Sequence, residues 1–112
     1  MQYFGIIIHH SVCPSINGKG YDFLITKDAS VIPAPHRTDP SYIHICLEGD
    51  FSEASTLTPK QQEQLFILSK LKQQLCETFG FSHDDVFPHT NTCPGPTFPW
   101  SKLVISLKDG YH

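Results

Sequence analysis

The sequence predicts an α/β domain in which a central mixed β-sheet is flanked by helices. Two observations carry this expectation. Runs of β-branched and aromatic residues crowd the first half of the chain. A single long segment with helical periodicity then separates the third long strand from a last short one, an order that puts a helix onto a sheet.

The elements follow in order. Gln2 to Ile8 reads as a buried strand, because Tyr3, Phe4, Ile6, Ile7 and Ile8 are β-formers. It ends on two adjacent histidines, His9 and His10. "SVCPSINGKG" is a connection rich in turn residues. "YDFLIT", Tyr21 to Thr26, is a second strand, and a tight turn at "KDAS" returns through Val31 and Ile32 as a short hairpin. "PAPHRTDPS" is irregular, since its prolines lack the N–H that regular structure needs. "YIHICLEG", Tyr42 to Gly49, is the third long strand. The helix is announced by Thr58 as N-cap, Pro59 at the first position and Gln61 completing a capping box. Leu65, Leu68, Leu71, Leu75 and Phe79, joined by Ile67, form its apolar face, and Gly80 stops it. "VFPH" is a short strand, and "WSKLVISL", Trp100 to Leu107, is a final helix.

With 112 residues the chain reads as one domain, 1–112. Its net charge of -3 and lack of a basic run argue against nucleic acid as a partner. No apolar stretch is long enough to span a membrane. The first residues show no charged leader followed by an apolar segment, so no signal peptide is expected. Cys13, Cys46, Cys76 and Cys93 form no CxxC pair and no disulfide scaffold, and Cys76 falls in the helical pattern as a core residue. Seven histidines in a chain this short are the first hint of a metal.

Catalytic zinc takes three protein ligands from His, Cys or carboxylate and leaves one position open. Strand ends hold such ligands rigidly. His9 ends one strand, His89 ends another, and Cys93 follows within "HTNTCPG", so these three form a candidate His₂Cys site. A lone histidine at a strand end is also a common structural residue, and spacing alone does not decide between the two.

"IIIHHS", "GYDFLIT", "IHICLEGDF", "LTPKQQEQL" and "H…CPG" stand here in the order found in zinc-dependent N-acetylmuramoyl-L-alanine amidases. The chain resembles that family, which includes phage endolysins of the T7 lysozyme type and peptidoglycan-recognition proteins, over about Tyr3 to Leu103. The resemblance implies zinc (Zn2+) as cofactor, with His9, His89 and Cys93 as ligands. His10 is implied to face away, for packing or a supporting hydrogen bond. Tyr21 matches a tyrosine beside the water that zinc activates. The family often carries a lysine or threonine two residues before the cysteine to stabilise the oxyanion. Asn91 stands at that position here, with Thr92 beside it, and neither brings a charge.

Two further departures bear on the cleft. The last histidine and the cysteine usually lie about twice as far apart as His89 and Cys93 do here, although the span of about 13–14 Å that four residues can reach still permits ligation. The segment between His10 and Tyr21 is short, which implies a minimal version of the fold with an open cleft.

His36 matches a loop histidine that lines the cleft in phage members, a substrate contact. His44 replaces a common glycine; it reads as a structural histidine or as a second substrate contact, on one strand face with Cys46 and Glu48.

The function implied is hydrolysis of the amide bond between N-acetylmuramic acid and L-alanine in peptidoglycan or muropeptides. It would be carried out by a monomer held in a cytoplasm, the host's if the protein is a phage lysin, until release to the cell wall. A non-catalytic peptidoglycan-binding module of the same fold, or a small zinc-stabilised domain on another protein, are the alternatives.

Overall fold

The computed structural model describes residues 4–11, 21–34, 41–51, 57–80, 82, 85–88 and 98. Among these residues five strands form one mixed sheet: β1 (Gly5–His10), β2 (Phe23–Ile25), β3 (Val31–Pro33), β4 (Tyr42–Leu47) and β5 (Val86–Pro88). Their order across the sheet is β3-β2-β4-β1-β5. β1 is parallel to both β4 and β5, β2 is parallel to β4, and only the β2–β3 hairpin is antiparallel. The C-terminal ends of β1, β2, β4 and β5 therefore share one edge of the sheet. In open α/β sheets that is the edge where ligands bind.

The helix α1 (Pro59–Phe79) starts and stops where its sequence predicts. The Thr58 hydroxyl accepts from Gln61 N, and the Gln61 carboxamide accepts from Thr58 N. Gly80 closes the helix in the left-handed region at φ 78°. Leu65, Leu68 and Leu75 are buried in one core with Ile6, Ile8, Ile25, Ile43, Ile45, Leu47, Phe51 and Phe98. Leu71, Phe79 and Ile67 pack at its margin, and Cys76 is buried as expected.

The helix also buries polar side chains that apolar periodicity does not reveal: Gln64, Ser69 and Lys72. Gln64 donates from Nε2 to both Ile25 O, at the end of β2, and Glu48 O, one residue past β4. Buried backbone carbonyls need partners; Ile25 O already accepts from Glu48 N, so the glutamine adds a second bond there and reaches Glu48 O beyond the last paired residue of β4.

The strands are shifted from their sequence boundaries. β1 runs through His10 instead of ending at Ile8, because both histidines pair with β4, His9 opposite Cys46 and His10 opposite Leu47. β2 is shorter than Tyr21–Thr26: Thr26 turns its backbone hydrogen bonds to Ala29 and Ser30 in the hairpin turn, and Asp22 bonds to His44 and Ala34 just outside the strand. β4 stops at Leu47, two residues before Gly49, whose φ of 124° makes the bend. The helix expected at Trp100–Leu107 lies outside the described residues.

Candidate functional site

Alternation along β1 and β4 sorts the site. Ile6, Ile8 and His10, with Ile43, Ile45 and Leu47, face α1 and its core, whereas Ile7, His9, Tyr42, His44 and Cys46 face the other way. The paired histidines thus have separate tasks. His10 is buried on the helix side, where its Nδ1 accepts from Phe51 N at 3.1 Å. An accepting Nδ1 carries no proton, so the 3.8 Å approach of the same atom to the Asp50 carboxylate is not an ion pair in that form. Ser11 continues the stitching: its N–H donates to Leu47 O, and its hydroxyl accepts from Gly49 N at 2.7 Å. Gln61 reaches across from α1 to donate to Asp50 O. The turn after β4 is therefore fastened by "HHS" on one side and by the capping box on the other.

His9 is on the open face, one residue from the C-terminal end of the central strand, and only 3% exposed. Its Nε2 lies 2.8 Å from Nδ1 of His44, with the two rings 5.0 Å apart between centroids and tilted by 31°. The backbone of His44 is clamped by one residue: its N–H donates to Asp22 Oδ2 at 2.8 Å, and its carbonyl accepts from Asp22 N at 2.7 Å. The aspartate of "GYDF" thus sets where β2 joins β4 beside the histidine pair. Cys46, buried directly opposite His9, forms the floor, and Tyr21 and Leu24 pack against it. The structure brings together His9, His44 and, through Cys46, Tyr21.

His36, His89, Asn91, Thr92 and Cys93 lie outside the described residues. Among the described residues no group of three His, Cys, Asp or Glu side chains is placed to hold a metal. His9, the described member of the expected zinc set, fits the role. It is a buried imidazole at the ligand-binding edge, and its ring is oriented by a hydrogen bond at one nitrogen, as ligating histidines are. β5 pairs beside it, Pro88 opposite Ile8, and the chain passes from Pro88 directly to His89.

Sequence reasoning missed the His9–His44 pair. Its two members are 35 residues apart, and only the parallel register of β1 on β4 makes them neighbours. The signal available was alternation, which places His44 on the face of Cys46 without naming the residue across from it.

The fold is similar to those of solved structures. It is similar to N-acetylmuramoyl-L-alanine amidase LysC from Clostridium intestinale URNW, with a TM-score of 0.69 and 22% identity, over 96% of this chain and 87% of that one. It is similar also to the endolysine N-acetylmuramoyl-L-alanine amidase LysCS from the same organism, with a TM-score of 0.67 and 24% identity, over 96% of this chain and 85% of that one. The PGRP-Hd from Alvinella pompejana matches with a TM-score of 0.60 and 16% identity, over 94% and 82% of the two chains. No family model matches the sequence, and no curated protein matches it. No helix among the described residues is long and apolar enough to cross a membrane.

Proposed function

We propose that this chain is a zinc-dependent amidase that cleaves the bond between N-acetylmuramic acid and L-alanine in peptidoglycan or muropeptides. The observation that carries the reading is the placement of His9: buried, oriented by a second imidazole, and set at the ligand-binding edge of a sheet shared with muramoyl-amidases. His9, His89 and Cys93 would hold the metal. Zinc supplies a Lewis acid for the scissile carbonyl and activates water for attack.

The chain's own groups do the rest. Tyr21, seated on Cys46, is the hydroxyl on the face of His9 that orients the attacking water or donates to the tetrahedral oxyanion. Asn91 and Thr92 are neutral donors two residues and one residue before Cys93. Neutral hydrogen bonds are about half as strong as charge-assisted ones, so the enzyme is a slow one. His36, between β3 and β4 in the sequence, is a substrate contact. The absence of a lysine before Cys93 and the short step from His89 to Cys93 favour the second reading, a module that binds peptidoglycan without cleaving it.

The test is metal analysis of the untagged protein with hydrolysis of purified cell wall. The amidase reading expects about one zinc per chain, lost in His89→Ala and Cys93→Ser, and release of peptides with a free L-alanine amino group. Cell-wall binding without release establishes the module instead. Full zinc occupancy in Cys93→Ser under dilute chelator removes the ligand set.

A further inference from the structure

Resting on the zinc reading above, we infer that His44 is a positioning residue that fixes His9 in the tautomer able to bind metal through Nδ1. A neutral imidazole has one N–H and one lone pair. The 2.8 Å bond between His9 Nε2 and His44 Nδ1 therefore has two possible directions. If His44 donates, His9 accepts at Nε2, carries its proton on Nδ1 and has no lone pair left for a metal. If His9 donates from Nε2, its lone pair is on Nδ1, and His44 accepts with its own proton on Nε2. Only the second direction is compatible with His9 as a ligand while the pair persists.

The pair is built to persist. His44 stands opposite Ile7, one pleat step from Cys46, so it meets His9 on the diagonal, a separation that aromatic side chains span. Asp22 holds both polar groups of the His44 backbone, which fixes the acceptor's origin relative to the sheet. His9 is enclosed to within 3% of its surface. The arrangement gives a ligating histidine the outer hydrogen bond that orients such ligands, but from an imidazole on the neighbouring strand in place of the usual carboxylate or carbonyl.

The experiment measures zinc affinity by chelator competition in the wild type, His44→Ala and His44→Asn, and reads the imidazole nitrogens of the zinc-loaded wild type by ¹⁵N NMR. His44→Ala is expected to weaken zinc by roughly 10- to 100-fold, the usual effect of losing such a partner. His44→Asn places an acceptor oxygen where Nδ1 stood and recovers most of the affinity. The spectrum is expected to show His9 protonated on Nε2 with metal on Nδ1, and His44 carrying no metal. This readout needs no variant and stands even if one fails to fold. Unchanged affinity in His44→Ala, metal on His9 Nε2, or metal on His44 overturns the inference while leaving zinc binding intact. A wild type that takes up no zinc overturns the amidase reading and this inference together.

Discussion

Gly5 is a point of close approach between β1 and the residue leading into β5, and Gly5→Ala measures what that costs. A Cβ added there would lie 2.4 Å from Asp85 O and 3.1 Å from Asp85 Cβ, whereas real Cβ contacts begin near 3.0 Å. The strands must part by about half an ångström. They cannot do so freely, because the same carbonyl accepts from Ile6 N at 2.9 Å and begins the pairing of β5 on β1. The expected loss is that of an overpacked site, about 1–3 kcal/mol. With a urea slope of about 1–3 kcal/mol per molar, the unfolding midpoint should fall by on the order of 1 M. Gly80→Ala is the comparison. Among the described residues nothing lies within 4 Å of its Cβ, but its φ of 78° is left-handed, so the loss of about 1–2 kcal/mol is conformational. The two variants separate in zinc affinity. Only Gly5→Ala pushes on the strand that leads into His89, so it should weaken zinc binding where Gly80→Ala does not. A Gly5→Ala midpoint equal to that of the wild type would refute the steric reasoning.

Thr58→Ala should destabilise by about 1 kcal/mol through the lost cap, and Gln61→Ala by at least as much, because Gln61 also donates to Asp50 O; urea midpoints that reverse this order would count against the double role. Tyr21→Phe should lower turnover by roughly 10- to 1000-fold with zinc retained, and wild-type turnover would remove Tyr21 from the chemistry. Burial pushes the Cys76 thiol above its ordinary value, with Lys72 opposing and Asp85 and Glu77 adding to the rise. A raised folded value means a stability contribution that is full below the unfolded thiol value of about 8.5 and is lost as pH rises through the folded one. The wild type should therefore lose stability above that pH more steeply than Cys76→Ala, and parallel unfolding curves would contradict this.

The parts of the fold legible in the sequence are those written locally. Thr58, Pro59, Gln61 and Gly80 mark the ends of α1 because caps act within four residues, and the hairpin at "KDAS" is closed by Thr26 and Ser30, which bond each other's backbones. Strand ends were misplaced wherever a distant partner decides them. β1 extends through His10 only because β4 lies alongside to accept it. Buried Gln64 and Lys72 were invisible for a related reason. A polar residue on the inner stripe of a helix reads as an interruption until the carbonyls it reaches are known, and those Gln64 reaches, of Ile25 and Glu48, lie at the end of β2 and just past β4.

The candidate site was half legible by the same logic. "HHS" signals a special strand end, but which imidazole serves the cleft is a question of parity, and parity is set by register. A slip of one residue in β1 would turn His9 into the core and bring His10 to the open face. Two features oppose that slip. Ile6 and Ile8 are fully buried in the core beside α1, and the slip would take both out of it. Gly5 alone of the strand lacks the Cβ that Asp85 O excludes, so moving Ile6 into its place would force a branched side chain against that carbonyl. The residue at the far end of β1 from the site thus helps decide which histidine the site receives. The same register then delivers His44, whose backbone Asp22 has already fixed, to the ring nitrogen of His9.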